Sequence, residues 1–350
     1  MSTSPQCGPL LPGDPRRIGR WKILGRLGAG GMGVVYLGVR RKRHAAIKVL
    51  RTDLAHDEGY RERFRREAES AARVSSVNTA RVLEIHDTDP MYLATEYIAG
   101  PTLSQALAAR GPLHGPALRD FARGVAHAIA AIHAAGVTHR DLTPANVILD
   151  ERRPVVIDFG IARADDNRTM TSTGWAMGTP GWMAPEQARG ERAGPSADVF
   201  AWGLLVAFAG TGRPPFGTGR PDAVVYRIVH ETPDVGGIDH ELVPIVLAAL
   251  EKDPYRRPSP ESVLHELLAL DGIAPTQVAP AYVLPTAPPA PPTGPPTASV
   301  PRVAAAAPPP GGRQAAPRRA SAGSGSPGWA TIPRRGPILN SRRRLRRARS

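Results

Sequence analysis

The chain has 350 residues, a formal net charge of +14, 41% hydrophobic residues and a single cysteine. Cys7 alone excludes an internal disulfide and argues against a thiolate zinc site; the ten histidines show no paired ligand spacing, and no apolar run approaches the ~18 residues of a membrane span. The start of the chain lacks the apolar core of a signal peptide, so a cytoplasmic protein without an integral membrane segment or outside sensor is expected.

Residues 1–17 show no periodicity and are expected to be disordered. Gly28-Ala29-Gly30-Gly31-Met32-Gly33, followed by Val34-Val35-Tyr36, reads as strand, glycine-rich turn, strand. No helix-forming run follows Gly33, which separates it from a dinucleotide-binding fingerprint. Lys48 lies in the apolar run Ala45-Ala46-Ile47-Lys48-Val49-Leu50, where a buried ammonium needs a partner; the alternative is a solvated lysine on an edge strand. From Tyr60 to Val74 the spacing predicts an amphipathic helix with Phe64, Ala68, Ala71 and Val74 on one stripe. Glu67 falls on that stripe and wants a cation, for which Arg63, one turn earlier, is one candidate. Met91 to Ile98 reads as a further strand.

Chemistry-bearing residues then follow in quick order. His139-Arg140-Asp141 is followed by Asn146, and the apolar Val155-Val156-Ile157 leads like a buried strand into Asp158-Phe159-Gly160. Either Asp alone would suit an Asx turn. The stretch from Asn167 to Thr173 holds Thr169, Thr171, Ser172 and Thr173, and it precedes Gly178-Thr179-Pro180 and Ala184-Pro185-Glu186. Asp198 opens an otherwise apolar helix, Val199 to Ala209. From Gly272 onward the chain holds seventeen of the 38 prolines, twelve arginines and no Asp, Glu or Lys, which carries +12 of the net charge. Such a segment cannot build a core and is expected to be a disordered Pro/Ala/Arg-rich tail.

The ordered series His139-Arg140-Asp141, Asn146, Asp158-Phe159-Gly160 and Glu186 resembles the catalytic loop, metal-binding loop and segment end of the bacterial, eukaryotic-like serine/threonine protein kinases of actinobacterial type. The resemblance implies an α+β, two-lobed fold over residues 18–270, with a small β-rich N-lobe (18–99) and a larger helical C-lobe (100–270), before a tail at 271–350. It implies ATP and Mg2+ as cofactors and transfer of the γ-phosphoryl to Ser or Thr of protein substrates, with Asp141 taking the acceptor's proton and Asn146 and Asp158 facing the metal. Lys48 would bond the α and β phosphates and pair with Glu67. Leu27, Gly28, Ala29, Gly30, Gly31, Met32 and Gly33 would cover the phosphates. Val35, Ala46 and Ile148 would sandwich the adenine, the backbone of Glu96 and Ile98 would bond its edge, and Thr95 would guard the back of the pocket.

For regulation the resemblance implies phosphorylation of Thr171 or Thr173, received by Arg140, with autophosphorylation in trans within a homodimer. Thr179 would stand beside the acceptor residue, Glu186 and Arg257 would form a buried ion pair, and Asp198 would prop the catalytic loop. Thr143 departs from the family, which usually has a lysine there to contact the γ-phosphate. A nucleotide-gated pseudokinase is therefore one alternative. A basic adaptor acting through the tail is another, since six arginines between Arg342 and Arg349 should attract polyanions.

Overall fold

The computed structural model describes residues 7–30, 33–51, 57–150, 153–158 and 180–272. Strands β1 (Arg17–Ile18), β2 (Trp21–Gly30), β3 (Gly33–Arg40), β4 (Arg43–Leu50), β5 (Val82–His86) and β6 (Tyr92–Glu96) form one antiparallel sheet in the order β1-β2-β3-β4-β6-β5. Side chains alternate across a strand, so register sorts residues by face. Val35 stands opposite Lys48 and Lys48 opposite Leu93, while Leu37 stands opposite Ala46 and Ala46 opposite Thr95. Those six residues therefore share one face. The other face carries Tyr36, Ala45, Ile47 and Ala94, which bury with Trp21, Ile23 and Tyr92 in a small core of their own.

At the β5 end of the sheet packs α1 (Glu58–Ala72), which buries Phe64, Ala68 and Ala71 as the periodicity predicts. Asp57 starts it by accepting the Tyr60 amide at 2.8 Å, one of the N-terminal donors a helix cannot satisfy internally. The same core continues through Leu50, Met91 and Leu93 into the helical half.

That half contains α2 (Leu103–Arg110), α3 (Gly115–Ala134), α4 (Pro185–Ala188), α5 (Pro195–Thr211), α6 (Pro221–His230), α7 (Val243–Ala249) and α8 (Pro260–Leu270), with the antiparallel pair β7 (Val147–Asp150) and β8 (Arg153–Val156). Helix α5 is apolar on every side and is buried on every side, as a central helix must be. Its Trp202 donates the indole N–H to the Ala122 carbonyl of α3 at 2.9 Å, so the ring is buried with its donor satisfied. No helix among the described residues is long and apolar enough to cross a membrane.

Residues 7–17, read from the sequence as disordered, pair here with β2: Gly8 is bridged to Arg26 and Arg17 is paired with Lys22. A segment with no periodic pattern carries no core of its own, and its order comes from an edge and a charge supplied by β2.

Candidate active site

The glycine-rich turn is narrow because β2 and β3 stay paired to its base, with Gly28 opposite Val35 and Gly30 opposite Gly33. Gly33 has φ +149°, and a Cβ there would lie 1.9 Å from the Val49 carbonyl oxygen, so only glycine lets β3 pass β4 at this point. Leu27 is half-buried, whereas Gly28, Ala29 and Gly30 are exposed and present backbone to solvent. Gly31 and Met32 lie outside the described residues.

Below that turn the sheet face presents Val35, Ala46, Lys48 and Thr95 together. Ile148 of β7 is bridged to Thr102, and its Cγ2 lies 3.0 Å from where a Cβ on Gly100 would sit. At the end of β6 Glu96 gives its amide to the Arg81 carbonyl at 2.8 Å. Ile98 follows two residues later, half-buried.

Main-chain bonds join the catalytic loop to the segment that carries Asp158. The Ile157 amide donates to the Asn146 carbonyl at 2.9 Å, and the Asn146 side-chain amide donates to the Asp141 carbonyl at 2.8 Å. Asp198, 1% exposed, holds the loop from behind: its carboxylate accepts the amides of His139 and Arg140, each at 2.8 Å, and stands 2.8 Å from His133 Nε2. Those donors are what permit a carboxylate inside an apolar helix. Arg140 and Asp158 take the left-handed backbone, φ 61° and 59°. Positive φ at non-glycine residues is strained, and here it coincides with the two loops that carry the charges.

Lys48 Nζ lies 2.6 Å from Asp158 Oδ1, and this replaces the expected pairing with Glu67. Glu67 lies instead 4.0 Å from Arg140 Nη1. The helical arithmetic for Glu67 identified the stripe but not the depth. Its side chain keeps 31% exposure, at the edge of the buried face of α1 and toward the catalytic loop.

The donor chemistry fits a magnesium ion, which takes oxygen ligands and keeps waters. With the Asn146 nitrogen committed to Asp141, the side-chain oxygen is its free ligand atom, and Asp158 supplies a carboxylate whose side chain is 35% exposed. Thr143, in the position where the resemblance expects lysine, is buried at 5% exposure.

Away from these loops, Glu186 and Arg257 form a bidentate pair, both bonds 2.7 Å long, with side chains 3% and 0% exposed. The remaining guanidinium donors reach the carbonyls of Glu251, Ser196 and Lys252. Thr171, Thr173 and Thr179 lie outside the described residues.

The protein kinase domain family matches residues 21–268. The chain belongs to that family. The probable serine/threonine-protein kinase PkwA of Thermomonospora curvata is 44% identical over 261 residues, which cover 74% of this chain and 35% of the relative. The serine/threonine-protein kinase AfsK of Streptomyces coelicolor is 44% identical over 264 residues, covering 74% and 33%. Among solved structures, the kinase domain of Mycobacterium tuberculosis PknI aligns with a TM-score of 0.55 at 28% identity, over 73% of this chain and 96% of that one. The chain spans about a third of the length of these curated relatives.

Three residues, two within the kinase domain and one before it, carry no signal that the sequence reading used. His133 backs Asp198 from the last turn of α3, and its signal was a lone polar residue beside the buried Ile129 and Ile132. Gln187 accepts the Ala184 amide at 2.9 Å and donates to the Arg140 carbonyl at 3.2 Å, which ties α4 to the catalytic loop. Asp14, before the first full strand, binds Arg26 and Tyr36. No local pattern marks either Gln187 or Asp14.

Proposed function

We propose that the chain is an ATP-dependent serine/threonine protein kinase, with residues 18–270 as its catalytic domain and residues 271–350 as a tail. The observation that carries this reading is the 2.6 Å contact between Lys48 and Asp158, residues 110 positions apart. An ammonium for phosphate oxygens and a carboxylate for a divalent cation thus meet beside the loop of Asp141.

Asp141 accepts the proton of a Ser or Thr hydroxyl while that oxygen bonds to the γ-phosphorus and the bond from phosphorus to the bridging oxygen of ADP breaks. Lys48 holds the non-transferring phosphates, and Asn146 and Asp158 hold magnesium. When bound, magnesium supplies the charge that offsets the phosphate oxygens. Val35, Ala46 and Ile148 pack the base, Thr95 closes the back of the pocket, and Glu96 and Ile98 offer backbone to its edge. Incubation with γ-labelled ATP, magnesium and a generic protein acceptor tests the assignment, since label must appear on Ser or Thr.

The same reading extends to control. Arg140, 20% exposed and 4.0 Å from Glu67, suits a loop phosphate, whose greater charge competes with that carboxylate for the guanidinium. Mass spectrometry of active protein should therefore find phosphate on Thr171 or Thr173. The variant with both threonines changed to Ala should be several-fold slower, and the initial labelling rate per molecule should rise with protein concentration if two copies act on each other. Fully active protein unmodified at both threonines would contradict this control.

We also assign polyanion binding to the arginines of the tail, which suits a basic segment of that charge density. Equal low-salt heparin retention of the full chain and of residues 1–271 would dispose of it. A cytoplasmic location, where ATP is supplied, suits this reading.

A further inference from the structure

Residues 7–20 precede the residues that the kinase family covers, yet they are bonded to the base of the glycine-rich hairpin. Gly8 and Arg26 exchange both main-chain bonds, at 2.8 and 3.0 Å, so that Gly8 extends the pairing on the edge of β2 beyond the short strand β1. The Asp14 carboxylate then closes the attachment. Its Oδ2 accepts the Leu11 amide and Arg26 Nε, both at 2.7 Å, and its Oδ1 accepts Arg26 Nη2 at 2.6 Å and the Tyr36 hydroxyl at 2.8 Å. Only 4% of that side chain is exposed. The Arg26 guanidinium holds the carboxyl well below the usual carboxylate range, so it stays charged at any working pH.

The place of attachment gives it a consequence. Arg26 and Tyr36 are cross-strand partners, and the next pair toward the turn is Gly28 with Val35, whose side chain shares the face of Lys48. The β2–β3 ladder is broken by register shifts on both sides of Arg26, between Ile23 and Gly25 and between Arg26 and Gly28. Bulges loosen a hairpin and re-aim what lies beyond them. One carboxylate gripping both partners of one of the two pairs between the bulges restores stiffness that the ladder has lost. The segment also explains Gly25, where a Cβ would fall 2.4 Å from the Gly8 oxygen and 2.5 Å from Cys7 Sγ.

We propose that residues 7–14 form a clamp on the glycine-rich hairpin and that Asp14 is a positioning residue for ATP, acting through Arg26 and Tyr36. This rests on the kinase reading only in taking the hairpin as the phosphate cover. The clamp spares ATP the cost of ordering the hairpin, so its loss appears in nucleotide affinity and leaves turnover at saturating ATP nearly unchanged.

The test uses the full chain and measures the Kd of Mg-ATP by calorimetry, KM and kcat for phosphoryl transfer, and the melting temperature. Asp14→Ala should raise both Kd and KM for ATP about fivefold to tenfold, the scale of ordering a few loop side chains, with kcat within about twofold. Arg26→Ala should do the same, and the double variant should be no worse than either single one. Should Asp14→Ala fail to fold, Asp14→Asn, which keeps the size of the side chain and loses its charge, should show the same split. Unchanged ATP affinity in the folded Asp14 variants overturns the clamp and leaves the kinase assignment standing, as does strict additivity of the Asp14 and Arg26 effects. Tight ATP binding by an unaltered chain that transfers no phosphoryl group overturns the kinase assignment alone. An unaltered chain that does not bind ATP removes both.

Discussion

Replacement of Lys48 or Asp158 by Ala should lower ATP-dependent phosphoryl transfer by at least ~100-fold, the scale for losing a preorganised charge aimed at a transition state. The loss should be chemical. The Lys48 and Asp158 side chains keep 16% and 35% exposure, so a remaining partner stays partly hydrated and neither truncation opens a hole in the core. An ion pair that keeps contact with water contributes less than a fully buried one, and both variants should melt within a few degrees of the unaltered protein. Circular dichroism and a thermal melt beside the activity assay check this. Near-normal transfer by both folded variants would remove these two residues from the chemistry.

The largest effect on stability is expected at Glu186 and Arg257. Their pair is bidentate at 2.7 Å with almost no exposure, and three main-chain carbonyls complete the guanidinium's partners. Arg257 also stacks over Phe200 of α5 at 4.8 Å, so α4, α5 and the segment before α8 meet at this one side chain. Removing one member of such a pair strands the other charge without water, which typically costs about 3–5 kcal/mol. Glu186→Ala should therefore lower the melting temperature by roughly 10 °C in a domain of this size. Glu186→Gln, which keeps one acceptor, should lower it less. A melting temperature unchanged in Glu186→Ala would mean that the Arg257 guanidinium finds water or another acceptor when its partner is gone.

The sequence was most informative about family and about elements with regular apolar spacing: the ordered series from His139 to Glu186 pointed to the family that matches, and α1 and the central α5 follow their patterns of apolar residues. Periodicity reports which face of an element a residue takes, and it is silent on partners. That is why the Lys48 contact with Asp158 and the Glu67 approach to Arg140 had to come from the structure. The residues before β1 were illegible for a related reason. The role of Asp14 depends on Arg26 and Tyr36, which lie 12 and 22 residues away. Gln187 was hidden in the same way by a bond across 47 residues.

The most direct measurement of the central claim compares the unaltered chain with Asp141→Asn for transfer from γ-labelled ATP with magnesium to a generic protein acceptor, followed by phosphoamino-acid analysis. The unaltered chain should label Ser or Thr. Asp141→Asn, which keeps the main-chain carbonyl that Asn146 bonds but cannot take the acceptor's proton, should transfer at least ~100-fold more slowly while binding Mg-ATP as well as before. Absence of labelled Ser and Thr with the unaltered chain, or undiminished labelling by Asp141→Asn, would contradict the assignment of this chain as a serine/threonine kinase that uses Asp141 as its base.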